Sequence, residues 1–170
     1  IRKLYQAGHA GVKIDLIVRG ICCLKPGMEG ISETIHVRSI VGRLLEHPRI
    51  YYFHRNGSHH LFLSSADMMT RNMTKRVEIE FPILDSKIEQ EIYDILELQL
   101  SDTAKAHVLQ PNGDYLKPEH IEEQINSQDI LIKRAQAESD ALLEVAHIEA
   151  IVEEAKPLTW WQKLLNFFTK

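Results

Sequence analysis

Cysteine is nearly absent from this chain: Cys22 and Cys23 are the only two in 170 residues. Neighbouring cysteines rarely reach the geometry of a disulfide or supply two ligands to one metal, so free thiols in a reducing, cytoplasmic setting are expected. Long apolar runs are missing too. No stretch of about 18 uninterrupted apolar residues occurs, and no basic segment leads into an apolar one near the start, so neither a membrane span nor a signal peptide is expected from these residues. An initiator methionine is also lacking. Ile1 opens inside a helical pattern, and the chain reads as a segment of something longer. Glycine stops at Gly113, which sets a glycine-free back third apart from the front.

What is present fits a globular protein. With 44% hydrophobic residues, the chain can bury one full-sized core and a second small module. The net charge of -4 hides an asymmetry: residues 1–80 stand at +5 and residues 81–170 at -9. Clustered cations focus a positive potential, so the front half suits an anionic ligand such as phosphate or nucleic acid. The acidic back half suits solvated helices.

The pattern along the chain is that of a mixed α/β domain. "RKLYQAGHA" (2–10) has helical spacing and runs into Gly11, a candidate cap. "VKIDLIV" (12–18) reads as a strand covered on both faces. The glycine-rich segment 19–33 then leaves the C-terminal end of that strand, where open α/β sheets collect ligands, so Arg19 is well placed. "TIHVRSIV" (34–41) is a second strand and "GRLLEH" a short helical turn. "RIYYFH" and "HLFLSS" flank the hairpin signal "RNGS", and "RVEIEFPI" (76–83) completes the sheet. "SKIEQEIYDILELQLSD" (86–102) is amphipathic, with apolar residues at 88, 92, 95, 96 and 100, and "VLQPNGDYL" (108–116) is a small hairpin.

After Pro118 the character changes. Apolar or small residues at 121, 125, 132, 135, 142, 146 and 152 approach a 3.5-residue period, as in one long helix or two shorter ones packing along a single seam, with another subunit as a candidate partner. The expected division is therefore 1–117 and a helical extension over 118–170. The closing "PLTWWQKLLNFFTK" holds both tryptophans, with Lys163 and Lys170 its only charged groups. It suits a docked capping helix or, from 158–170, a peripheral anchor at a membrane surface.

Candidate chemistry gathers at His47, Arg49, Ser64, Ser65, Asp67, Arg71, Asn72, Arg76 and Glu78. A strand starting at His47 and one ending at Ser65, joined by a hairpin, bring these ends to one region. His47 and Arg49 then share a face, because side chains alternate with period two. An arginine beside an imidazole suits phosphoryl transfer: the guanidinium neutralises anionic oxygens and the imidazole exchanges a proton near neutral pH. The serine hydroxyls can add hydrogen bonds to the same oxygens, and Arg76 and Glu78 share a face on the next strand. His59 and His60 have no partner at metal-ligand spacing; they, His36, His54, His107, His120 and His147 read as surface residues, and no metal site is expected.

The pattern "HPR … SSADMMTRN" is similar to half of a phospholipase-D-type site, with Arg49 where that motif has lysine. Such a site needs two halves, and this chain has one. A closer resemblance covers residues 1 to about 117. "LYQAGHAGVKIDLIVRGICCLKPG", "SIVGRLLEHPRIYYF", "LSSADMMTRN" and "ILELQLSDTAKAHVLQPNGDYLK" resemble the C-terminal domain of polyphosphate kinase, the phospholipase-D-like family that reversibly moves the terminal phosphate of ATP onto inorganic polyphosphate. The resemblance implies that Arg19 and Arg76 bind nucleotide phosphates. It further implies that His47 contacts them as a catalytic proton donor or acceptor, and that Glu78 belongs to the same site; the residue pattern itself adds Arg49, Ser64 and Ser65 as supporting groups.

It also implies that the histidine that becomes phosphorylated, the Mg2+ ligands and the adenine-contacting tyrosine precede these residues, so that this chain alone is inactive. ATP or ADP and polyphosphate would be the substrates, within a cytoplasmic homo-oligomer, with no nucleic-acid partner. Met68 departs from the tryptophan usual in the family's "SSADWM", and beyond about 118 the resemblance stops. Two alternatives stand beside it: a phosphodiesterase or nuclease half-site, and a non-enzymatic assembly domain.

Overall fold

A computed structural model describes residues 1–118 and 124–154 of the chain. It resolves into two compact units, Ile1–Gln128 and Asp129–Lys170. The elements run α1 (Arg2–His9), β1 (Ile14–Ile17), β2 (Ile35–Ile40), β3 (Ile50–Arg55), β4 (Ser58–Ser64), α2 (Thr70–Lys75), β5 (Glu80–Pro82), α3 (Ser86–Leu100), β6 (Ala106–Leu109), β7 (Tyr115–Leu116) and α4 (Ser127–Glu154).

The mixed α/β class expected from the residue pattern is what the first unit adopts, but its strands form two sheets rather than one. The larger, in the order β1-β2-β6-β7, pairs β1 with β2 in parallel and the rest antiparallel. The smaller is the antiparallel meander β3-β4-β5. The strand expected over 76–83 forms only at Glu80–Pro82 and completes the meander, not the sheet begun by β1; Arg76 caps α2 and Glu78 precedes the strand, so they do not share a strand face.

The core lies on the larger sheet. Leu24, Ile35, Val37 and Leu109 are buried together, with Leu4, Tyr5, Ile14, Leu16, Val18 and Cys22 packed around them; each fully buried aliphatic side chain contributes about 1.5–3 kcal/mol. Helix α1 lies so close to β2 that a Cβ at Gly8 would stand 3.0 Å from Ile35 Cγ1. It ends as expected at Gly11. The Val12 amide donates to the Ala7 carbonyl and the Gly11 amide to that of Gly8, with Gly11 at φ +88°, where a side chain would be strained. β1 is half-buried rather than covered on both faces, and Lys13 pairs with Asp15 on its outer edge at 3.1 Å.

The Asn-Gly hairpin forms where expected, with Asn56 at φ 47° and Gly57 at φ 82°. Asp85 caps α3, its Oδ1 accepting from the amides of Lys87 and Ile88. Tyr93 of α3 packs on Tyr52 of β3, ring centroids 5.0 Å apart, and Glu89 reaches His59 of β4 at 3.7 Å, which docks the helix on the meander. Asp102, fully buried just after α3, accepts from the amides of Lys105, Ala106 and Ser127 and from Ser127 Oγ.

Two local expectations fail for identifiable reasons. Residues 42–44 form a bend and 45–47 have no regular structure, so the expected helical turn is absent. The Gln128 amide takes both the N–H and the C=O of Leu44, groups a helix would need, and Pro48 disfavours helical backbone at His47. β3 begins at Ile50, not His47: the last rung of its ladder is the Ser64 amide on the Arg49 carbonyl.

In the second unit, α4 continues as one helix. Of the expected stripe, Ile132 is half-buried, whereas Ala135, Leu142 and Ala146 are exposed, as are Leu143, Val145 and Ile148. No helix among the described residues is long and apolar enough to cross a membrane. The aromatic segment 158–170 and His120 lie outside the described residues.

Candidate functional site

The site is built where the end of β1, the loop 42–49 and the corner after β4 meet. Arg19 follows the last parallel rung, in which the Val18 amide donates to the Arg38 carbonyl. Its side chain is exposed, and Nη1 donates to the Glu46 carbonyl at 2.9 Å. An open hollow lined by Gly20, Ser39, Val41, His107 and Tyr115 adjoins it.

His47, the next residue after Glu46, is exposed and sits against Arg49. Arg49 Nη1 is 3.1 Å from His47 Nδ1, and Nη2 is 3.3 Å from Nε2. The expected proximity is therefore present, but pleat alternation does not cause it, because both residues precede the strand. The guanidinium folds back onto the imidazole because Asp67 holds its other edge, Arg49 Nε donating to Asp67 Oδ1 at 2.9 Å. The hydrogen bond from Arg49 holds the Asp67 carboxyl below the usual carboxylate range, and the charges of Arg49, Arg19 and His47 act the same way. Groups from two segments, Arg19 after β1 and His47 and Arg49 in the loop before β3, thus favour the charged form of one carboxylate, which Arg49 alone contacts directly. Arg49 is engaged by Asp67 and by both ring nitrogens of His47, while Arg19, whose Nη1 is held by the Glu46 carbonyl, and His47 remain exposed at the surface of the site.

Ser64 and Ser65 build the corner. Ser64 Oγ donates to the Ile79 carbonyl and accepts from the Ala66 amide; Ser65 Oγ accepts from the Ile79 amide and donates to Glu78 Oε2 at 2.5 Å. Their hydroxyls are committed to this corner rather than turned to an external oxygen. Glu78 accepts from Asn72 Nδ2 as well, at 2.6 Å. Hydrogen bonds from Ser65 and Asn72 keep its carboxyl below the usual range, assisted by the charges of Arg76 and Arg49. Arg76, at the end of α2, and Arg49 thus both act on Glu78, which links the basic groups across the corner. Asn72 is buried and its Oδ1 has no partner among the described residues, while Arg71 is exposed.

Sequence reasoning placed Asp67 and Asn72 in the cluster without a role, and it passed over Glu46, Gln99 and Gln128. Gln99 Nε2 donates to Glu46 Oε2 at 2.9 Å and Gln128 Nε2 to Oε1 at 2.6 Å. The partners of Glu46 lie 53 and 82 residues away, and no local pattern signals such a contact.

Comparison with known proteins now bears on this geometry. Residues 1–128 match the family model described as polyphosphate kinase C-terminal domain 2, which ends where the first compact unit ends. The chain is 48% identical to a polyphosphate kinase of Staphylococcus epidermidis over its whole length and 23% of that protein's. It is 57% identical to one of Staphylococcus haemolyticus over 79% of this chain and 19% of that protein. The crystal structure of polyphosphate kinase from Porphyromonas gingivalis superposes with a TM-score of 0.76 at 40% identity, covering 82% of this chain and 22% of that one. The likeness thus runs beyond residue 118, and the chain spans about a fifth to a quarter of the proteins it matches. A matched family model, relatives along the whole chain and a shared fold lead to one conclusion: the chain belongs to the polyphosphate kinase family, of which it carries the C-terminal domain.

Proposed function

We propose that this domain supplies the phosphate-holding half of a polyphosphate kinase site. In the overall reaction the terminal phosphoryl of ATP passes to a histidine nitrogen in the preceding part of the polypeptide as the β–γ bridging bond breaks and ADP leaves. The N–P bond then breaks as a new anhydride bond forms to the end of a polyphosphate chain. Each step spreads negative charge over the equatorial oxygens, and fixed cations stabilise that charge more than they stabilise the ground state. Arg19 and Arg76 hold those oxygens, and His47 exchanges a proton with an attacking or leaving oxygen. Arg49, Glu78, Ser64 and Ser65 keep these groups in place.

The single observation that supports this reading is that Arg19, at the end of β1, donates to the carbonyl of Glu46, the residue before His47, which itself lies against Arg49. Among the described residues no group of three or more His, Cys, Asp or Glu is placed to hold a metal ion. The ion's ligands are assigned to the preceding part, and no step here is routed through it. The same reading makes this chain inactive alone and places the enzyme in the cytoplasm as a homo-oligomer.

The test is full-length protein assayed for ATP-dependent polyphosphate synthesis and for cleavage of a phosphodiester. Synthesis that is lost in His47→Ala, with circular dichroism unchanged because His47 is exposed, is the expected result. Phosphodiester cleavage without ATP dependence would favour the phosphodiesterase alternative, and full synthesis by His47→Ala would remove His47 from the site. A second reading, assembly through the back of the chain, draws on the exposed Leu142, Leu143, Val145 and Ile148 of α4. Sedimentation with and without residues 118–170 tests it, along with the membrane contact proposed for 158–170 when liposomes are added. Unchanged mass and lipid binding would dismiss both.

A further inference from the structure

We infer that Gln128, with Gln99 and Glu46, is a clamp that positions the loop bearing His47, so that the last residue of the first compact unit sets the geometry of the phosphate site. This rests on the proposed roles of Arg19 and His47. The loop has little else to hold it. Residues 42–47 have no regular hydrogen-bonded structure, and Leu44 and Leu45 are exposed rather than packed into the core. Polar contacts fix it instead. The Gln128 side chain grips Leu44 at two points, Oε1 accepting from its amide at 2.9 Å and Nε2 donating to its carbonyl at 2.8 Å.

The same Nε2 donates to one oxygen of Glu46, and Gln99 Nε2 takes the other. Gln128 and Gln99 are 2% and 4% exposed, so water does not compete for these bonds. Glu46 in turn offers its carbonyl to Arg19 and precedes His47 in the chain. A shift of Glu46 therefore moves the support of both phosphate ligands together.

The neighbours of the clamp are arranged to keep it rigid. Ser127 anchors the adjacent residue to buried Asp102 through its amide and its hydroxyl, at 2.8 and 2.7 Å. Gly42 leaves the space the amide occupies, because a Cβ there would fall 2.3 Å from Gln128 Oε1. Gln128 and Gln99 bond to Glu46, and Gln128 also to Leu44. They are positioning residues, acting through Arg19 and His47.

Gln128→Ala in the full-length enzyme is expected to lower kcat/KM for polyphosphate synthesis by about 10–100-fold, the range that a misplacement of roughly 1 Å produces. Gly42→Ala should reproduce the loss by displacing the amide. The double variant should be no worse than Gln128→Ala alone, because once the amide is gone the added methyl has nothing to displace. In this chain by itself, hydrogen exchange at the Leu44 amide should accelerate in Gln128→Ala while the Val37 amide of the core sheet stays protected, a selectivity that a general loss of stability would not give.

Activity within twofold of wild type in Gln128→Ala overturns the proposal. So do multiplying losses in the double variant, or equal acceleration at Leu44 and Val37. If the wild-type enzyme makes no polyphosphate, the functional reading falls; the clamp is then judged by the exchange pattern.

Discussion

Replacing Asp67 with asparagine removes the charge that holds Arg49 while leaving the shape of the corner. The Arg49–Asp67 contact is a 2.9 Å hydrogen-bonded ion pair whose side chains are 19% and 29% exposed. A hydrogen bond to a charged group contributes about 1.5–3 kcal/mol when shielded, and solvent reduces that here to about 1 kcal/mol. For a domain of this size the expected fall in Tm is about 3 °C. The dependence on pH follows from the depressed carboxyl of Asp67. Its contribution is fully present above the unfolded value of about 3.9 and is lost as pH falls through the lower folded value, so the gap between wild type and Asp67→Asn should close in acid below about pH 4.

Activity should respond more than stability. With one edge released, Arg49 no longer keeps its place against His47, and synthesis by the full-length enzyme should drop about 10–100-fold. Asp67→Glu, which restores the charge, should recover part of it. Thermal melts from pH 3 to 7 and steady-state synthesis assays give both readouts. Wild-type turnover in Asp67→Asn, or a stability gap that widens in acid, would refute the reasoning.

Arg19→Ala should weaken ATP binding by about tenfold to a hundredfold, the value of one charge-assisted hydrogen bond, as read by calorimetric titration of the full-length enzyme; unchanged affinity would exclude Arg19 as a phosphate ligand. Asp102→Ala leaves four hydrogen-bond donors at or near the core without their acceptor, and a loss of about 3 kcal/mol or more is expected in urea denaturation. Burial pushes the Asp102 carboxyl up, but hydrogen bonds from the Ser127 side chain and from the amides of Ser127, Lys105 and Ala106 outweigh it and leave the value lowered. The wild-type advantage over Asp102→Ala should accordingly shrink as pH drops below about 4, and an advantage that grows in acid would contradict this.

Elements whose cause is local were legible in the residues. The Asn56-Gly57 turn, the Gly11 stop of α1 and the periodic apolar face behind Asp85 each carry their signal within a few residues. The place of Arg19 at the end of β1 was legible because that position follows from the strand itself. Contacts between distant segments were not. Alternation along 76–83 shows that a strand exists but not which sheet it joins, so the meander was merged with the β1–β2 sheet. The bend at 42–44 depends on an amide 84 residues from Leu44, and the hydroxyls of Ser64 and Ser65 are taken by Ile79 and Glu78, just ahead of a strand that pattern alone could not dock. His47 and Arg49 came together as expected, but through Asp67 rather than through the pleat.

The long reach of the Gln128 contact also bears on the order of events during synthesis. Leu44 and its partner are separated by 84 residues, whereas the β3–β4 hairpin closes over a two-residue turn. At a translation rate of about 5–20 residues per second, roughly 4–17 s pass between the emergence of the loop and that of the residue that fixes it. A nascent chain halted short of residue 128 would already hold its hairpin while the Leu44 loop lacked its Gln128 partner, so ordering of that loop waits for the distal end of the domain to leave the ribosome.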